Sequence, residues 1–389
     1  DTTGQTGEPF IRADSFTMRL AVSPLLRGAF EAKEIELHRP VLSLALDGAG
    51  SGNWSTLELR PAELPFVPQN VALHSVRLYD GAISIHRADG AVITNIDDIN
   101  GELTADSLKG PFKFKGSTRT GEAERDVRFT TTSPDAAGAV HVKASMSGGA
   151  SANSYVFDGT LQNLTTAPKI IGELTGKINL PRATSVTPEQ SQALPVLNLK
   201  TTTTADALGA TFENVELELD GAAEAQLLSG KASAKWGDAL RFDTKLAAKW
   251  LDLDRLGASQ GQQAGIDDLQ RLFVALVEGL GADGSASVQL DIDQAKFAGE
   301  QAGSLNLDAE RRNDVVTLRR LSGGLPGGAR FELSGEISGA KSADKSFKGE
   351  GAVRGVNFAR VQAFAKKSGI DIDLKSDGPF WVAGHVAMS

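Results

Sequence analysis

The chain has 389 residues, 41% of them hydrophobic, with a net charge of −9 and no cysteine. A mean hydropathy of −0.16 suits a folded chain and excludes an intrinsically disordered one. Without cysteine there is no thiol chemistry, zinc–thiolate site or disulfide framework, and the acidic balance without a basic tract argues against nucleic acid and against a polybasic membrane-surface patch.

The opening Asp1–Gly7 reads as a linker or the edge of a longer chain. Phe16, Met18, Leu20 and Val22 then alternate as a strand does, and Ser23 to Leu26 reads as a short helical turn. From Glu34 to Trp54 the alternation runs through Ile35 and Leu37, is interrupted at Pro40, and resumes through Leu42, Leu44 and Leu46. A proline in that place belongs at a strand edge or bend, because it removes a ladder donor. Asp47-Gly48 and the glycines after it end the segment in a turn, and the Trp54 ring is large enough to cap a sheet edge. Val71, Leu73, Leu78, Ile83 and Ile85 continue as strands, with Asp80-Gly81 and Asp89-Gly90 read as hairpin turns. Further strands are expected at 127–131, 140–146, 155–161, 174–180, 212–219, 240–250, 288–292, 305–309, 315–318, 331–337 and 347–356. Helical patterning is scarce. Ile266 to Leu280 places Leu269, Leu272, Phe273, Leu276 and Leu280 on one face, with Asp267 and Asp268 in the first turn, and Phe358 to Lys367 is a second, weaker helix. A loose hairpin repeat relates 215–221 to 331–337.

Chemistry-bearing motifs are absent. There is no G-x-S-x-G elbow, P-loop or dinucleotide fingerprint, and the five histidines His38, His74, His86, His141 and His385 lack zinc-site spacing. His74 and His86 are placed so that they could face each other across a hairpin. Three Asp-x-Asp pairs (Asp252/Asp254, Asp291/Asp293, Asp371/Asp373) lack the Gly and Glu of an EF-hand loop and read instead as the wet face of strands. The sequence therefore points to no enzyme, no catalytic residue, no metal and no cofactor. No run of about 18 apolar residues spans a membrane as a helix, and too few aromatics are present for the girdles of a transmembrane barrel.

The order of segments at Phe16–Gly28, Ile35-Glu36-Leu37, Arg39-Pro40, the Gly-rich turn and Asn53-Trp54 resembles the periplasmic part of the AsmA family of Gram-negative bacteria. Leu78-Tyr79-Asp80-Gly81, Leu251-Asp252-Leu253-Asp254-Arg255-Leu256 and the hairpins from Leu305 to Gly335 are similar to later segments of that family. The resemblance implies a protein of the periplasm, anchored to the inner membrane by an N-terminal helix that this sequence lacks. It also implies kinship with chorein-type, bridge-like lipid transfer proteins and a part in phospholipid movement to the outer membrane and in outer-membrane biogenesis.

The expected fold is all-β and mainly antiparallel: an elongated, twisted, groove-like sheet of many hairpins with one or two short helices. The expected organisation is a linker at 1–14, a β-groove region at 15–260, a helical segment at 261–282 capping or plugging the sheet, and hairpins at 283–389 that continue the groove and end as a fragment would. The residues expected to line the groove are Phe16, Met18, Leu20, Leu42, Leu44, Leu46, Leu240, Phe242, Leu246 and Trp250. The expected partner is phospholipid or another acyl lipid. In the alternative reading, the chain is a β-repeat scaffold that binds envelope assembly proteins without lipid transfer.

Overall fold

The computed structural model describes residues 10–25, 30–46, 52–53, 71–87, 90, 92–107, 110–120, 123–149, 152–164, 166–179, 196–220, 226–236, 239–257, 284–313, 315–338, 346–370 and 378–388. The described strands form an open, mostly antiparallel sheet of 22 strands that is not closed into a barrel. The all-β expectation is met. The chain divides into two compact units, residues 1–176 with 202–210 and residues 177–201 with 211–389.

In the first unit, β1 (Ile11–Arg12) and β2 (Ser15–Leu20) run antiparallel to β4 (Val41–Leu46) and β3 (Phe30–His38) respectively. The first of these strands falls within the stretch read as a linker. Both β3 and β4 lie parallel to one long strand, β5 (Val71–Arg87). An antiparallel meander follows: β6 (Val92–Ala105), β7 (Phe112–Thr120), β8 (Ala123–Thr131), β9 (Val140–Gly148) and β10 (Asn153–Gln162). Strands β11 (Lys169–Asn179) and β12 (Val196–Ala205) each have residues in both units. A short helix, α1 (Val22–Leu25), follows β2, as expected.

A corner crosses this unit where the sequence pattern suggests turns. Asp80-Gly81 is not a hairpin turn but a bulge inside β5, where Asp80 takes φ 54°. Asp98 in β6 takes φ 51°, and Arg39, between β3 and β4, takes φ 48°. Aspartate tolerates the left-handed region, so Asp-Gly serves a bulge as readily as a turn. The Asn100 side chain links the two bulges, accepting from the Asp80 N–H at 3.0 Å and donating to the Asp98 carbonyl at 3.1 Å. Pro40 sits at this bend, as its missing donor predicts. The ladder donors on either side are Arg39 N–H to Tyr79 O and Ala82 N–H to Pro40 O, both 2.8 Å. Because β5 continues through the corner, His74 and His86 lie on one strand and do not face each other across a hairpin.

The second unit carries most of β13 (Gly209–Leu219), then β14 (Leu227–Lys235) and β15 (Arg241–Asp252), which pair antiparallel from β14 to β15. Strand β16 (Ser285–Phe297) lies parallel to β15. The chain between them includes the helix expected at Ile266–Leu280, so Leu269, Leu272, Phe273, Leu276 and Leu280 lie outside the described residues. Asp371/Asp373 and Trp54 also lie outside them. From β16 an antiparallel series runs through β17 (Glu300–Ala302), β18 (Leu305–Arg312), β19 (Val315–Leu325), β20 (Ala329–Ser338), β21 (Ser346–Gly355) and β22 (Phe380–Met388).

Two helices close one end of this unit: α2 (Leu253–Gly257), and α3 (Phe358–Lys367), which has the bounds its periodicity predicts. The α3 helix starts where the Asn357 side chain accepts the Arg360 N–H, a cap that satisfies one of the orphan donors of a first turn. It buries Phe358, Val361, Phe364 and Ala365. The Phe364 ring meets Phe297 edge-on at 6.1 Å, in a cluster with Ala298, Leu253 and Leu325. Beside it, Leu228, Ala248, Leu251, Ile292 and Ala295 form a second buried cluster.

Glycine pairs set how closely the strands pack. In β7, a Cβ placed on Gly116 would lie 2.1 Å from the Asn100 carbonyl oxygen and 2.8 Å from Phe114 Cζ. Gly384 in β22 has nothing within 4 Å of the same position. Gly116→Ala should therefore destabilise the protein by about 1–3 kcal/mol through overpacking, while Gly384→Ala should change stability by only a few tenths. Urea unfolding of both variants checks this, and equal losses would contradict it.

Candidate functional site: one apolar face and one charged face

Strand side chains alternate between two faces, and residues paired across a ladder share a face. The registers therefore trace each face from strand to strand. In the first unit, Met18, Ile35, Val76, Leu103, Phe114, Phe129, Ala144 and Phe157 are successive partners from β2 to β10. A second row joins Phe16, Leu37, Leu78, Gly101, Gly116, Val127, Met146 and Tyr155 in the same order. Across the corner, Leu42 pairs with Ile83 and Leu44 with Ile85. The intervening positions carry the opposite character. Thr17, Glu36, Arg77, Glu102, Lys115 and Arg128 pair in turn. On that face Glu34 holds Arg19 and Arg77, each at 3.0 Å, and Asp158 holds Lys143 at 3.2 Å and His141 at 3.1 Å.

The second unit shows the same division. Gly230, Leu246, Leu290, Leu307, Leu321, Leu333, Gly351 and Gly384 are successive partners from β14 to β22. Beside them run Phe242, Ala286, Arg311, Val316, Ile337 and Phe347, where Arg311 is buried and donates from Nε to the Asn313 carbonyl at 2.9 Å. Its charged face carries Glu310, bonded to Arg312 at 2.6 Å and paired with Arg319. The Arg312 hydrogen bond in particular holds the Glu310 carboxyl below the usual carboxylate range.

Burial separates the faces. Along β8, half-buried and exposed residues alternate without a break: Val127 and Phe129 are half-buried, Arg128 and Thr130 exposed. Most apolar-face residues of the first unit are half-buried, not sealed. Each leans on its neighbours within the sheet, and among the described residues no α-helix longer than α1 belongs to that unit. The second unit seals one end of its face with α2 and α3 and leaves Phe242, Leu246, Leu290 and Leu307 half-buried.

A repeat that the hairpin comparison missed lies on this face. Phe114, Phe157 and Phe347 each begin a Phe-x-Gly triplet whose glycine (Gly116, Gly159, Gly349) faces a second glycine (Gly101, Gly172, Gly335) at the head of Gly-Glu-Leu or Gly-Glu-Ile. In all three places the Phe Cζ lies within 3 Å of where a glycine Cβ would be. The tip of the ring thus occupies the space that a side chain on either glycine would need. In two of the three, the Glu faces a Lys on the charged face (Glu102 and Lys115, Glu336 and Lys348). The six triplets are legible in the sequence once the pairing is known.

Of the residues expected to line a groove, Met18, Leu20, Leu42, Leu44, Leu46, Phe242, Leu246 and Trp250 are half-buried. Phe16, on the edge strand β2, is 56% exposed, and Leu240 precedes β15 and is exposed. In the first unit Phe16 and Met18 lie on the traced apolar rows, and in the second Phe242 and Leu246 do. The expectation of wet-face aspartates holds for exposed Asp291 and Asp293 and fails for Asp252 and Asp254, which are 8% and 6% exposed. Asp254 accepts the N–H groups of Ala298 (2.7 Å) and Gly299 (2.8 Å), the two residues that turn β16 into β17. Asp252 accepts from the Asp254 N–H and pairs with Lys296 at 3.1 Å. Both carboxylates are consumed by the tertiary structure, and no group of three or more potential metal ligands occurs among the described residues.

Compared with known proteins, the chain matches no family model, no curated protein and no solved structure.

Asp254→Ala leaves the buried Ala298 N–H without an acceptor, a loss of about 1–3 kcal/mol, and removes the half-buried bond to the Gly299 N–H as well. Thermal melting should show a clear loss of stability, with no response of the wild-type midpoint to added calcium. A calcium-dependent rise would contradict the structural role.

Proposed function

We propose that this chain binds the acyl chains of phospholipid or a related lipid along its apolar sheet faces, without chemistry. The observation that carries the reading is the uninterrupted apolar register from Met18 to Phe157, on a face whose residues are mostly half-buried and which no helix longer than α1 accompanies among the described residues of that unit. A sheet with one apolar face must cover it. Each methylene moved from water onto such a surface gains about 0.8 kcal/mol, so a lipid tail stabilises the face it covers. At the Phe-over-Gly sites the glycine positions carry no side chain and the tip of an aromatic ring covers them, an apolar surface suited to a hydrocarbon chain. The resemblance to the AsmA family supports the same reading and extends it to a periplasmic, inner-membrane-anchored protein that serves lipid transport to the outer membrane. The packed clusters at one end of the second unit favour the scaffold alternative for that end alone.

Native mass spectrometry with lipid extraction tests the proposal. The purified chain should carry phospholipid. Leu44→Asp and Phe242→Asp, each on the apolar face, should reduce bound lipid severalfold while the protein stays folded. A lipid-free mass together with a cooperative, lipid-independent melt would overturn the proposal in favour of the scaffold.

A further inference from the structure

We propose that Arg125 holds the anionic head of the bound lipid, with the acyl chain lying along β8 over Val127 and Phe129 and flanked by Phe114 and Met146. This rests on the acyl-lipid reading above and adds the class of head group. Arg125 pairs with Thr118 on one side and Gly148 on the other, which places it in the alternation of Val127 and Phe129 and therefore on the apolar face. It is the one charged residue among the β7–β10 positions of that face. The other cations paired across these strands, among them Lys115, Arg128 and Lys143, lie on the charged face. Arg125 is half-buried. No hydrogen bond or ion pair joins its side chain to another described residue.

The surroundings explain how a charge is accommodated there. The guanidinium lies beside the turn after β9, where Gly148 and Gly149 take φ 110° and 83°. A Cβ on Gly149 would sit 3.5 Å from Arg125 Cζ and Nη1. The glycine therefore leaves the guanidinium a slot at the end of the strands. With no carboxylate paired to it among the described residues, this guanidinium on the apolar face is placed to form charge-assisted hydrogen bonds with an anion. The six steps from Arg125 to Thr131 span about 20 Å of strand. One leaflet's share of a bilayer's hydrocarbon is about 15 Å, so a single tail fits between the charge and the far end of β8. The recognised chemistry is an acyl chain ending in a carboxylate or a phosphate.

The test uses the whole chain and three sixteen-carbon probes (about the tail length above) that compete with a neutral fluorescent acyl reporter: hexadecanoate, hexadecyl phosphate and a neutral monoacylglycerol. Wild type should bind one or both anionic probes about tenfold tighter than the neutral one, and the stronger of the two identifies the head. Salt at about 0.5 M should shrink that preference. Arg125→Gln should abolish the preference, bringing the anionic probes to the affinity of the neutral one, while Arg125→Lys should keep most of it. Arg128→Gln, on the charged face, should have no effect. The assignment is overturned if Arg125→Gln keeps the anionic preference, if Arg128→Gln removes it, or if wild type binds all three probes equally. Failure of every probe to displace the reporter from wild type would instead contradict the acyl-lipid reading itself.

Discussion

The structure depends on one constraint: strand side chains repeat every two residues, and ladder pairing carries that parity unchanged from strand to strand. A slip of one residue anywhere would move a strand's apolar set to the wet side. The registers show that parity kept from β2 to β10 in one unit and from β14 to β22 in the other. Where extra residues enter, at Asp80 and Asp98, bulges on facing strands absorb them, and Gly81 still meets Ile99 and Ile83 still meets Ile96. The corner thus bends the sheet without exchanging its faces. Consistency of this kind over so many ladders concentrates apolar side chains on one face of each unit, more of them than the short helices among the described residues pack against.

The two faces are stabilised by different means. On the charged side, a half-buried Glu34 holds two exposed arginines, and Asp158 holds an exposed lysine and an exposed histidine; ion pairs with exposed partners contribute little individually. Their larger effect is to keep that side wet. On the apolar side, packing within the sheet does most of the work. Phe114, Phe157 and Phe347 each bring a ring tip over a glycine pair of adjoining strands, and Phe114 also stacks on Phe129 within the sheet. That device suits a surface that must be apolar and still remain open. The end of the second unit is built differently: α3, Phe297 and the buried Asp252–Asp254 pair form a conventional closed core there.

Much of this was legible from sequence because alternation is a direct image of strand parity. Leu42, Leu44 and Leu46, or Phe242 and Leu246, announce both the strand and its apolar side. What sequence could not supply was pairing. Asp80-Gly81 has the residues of a turn, and only the continuation of β5 past it reveals a bulge. Asp252 and Asp254 look like wet-face residues until the β16–β17 turn, more than forty residues later, presents its N–H groups to them. The Phe-x-Gly and Gly-Glu-Leu triplets are plain in the sequence, yet their meaning appears only when the two glycines stand opposite each other. Arg125 gave no signal, since its face is defined by its partners Thr118 and Gly148.

The claim that one face of the sheet receives lipid is tested most directly by parity along a single strand. A photo-crosslinking amino acid placed in turn at Val127, Arg128, Phe129 and Thr130 of β8 would be irradiated in the presence of phospholipid vesicles, and lipid adducts read by mass. The account predicts adducts at 127 and 129 and few at 128 and 130. Equal yields at all four positions, or adducts confined to 128 and 130, would contradict it.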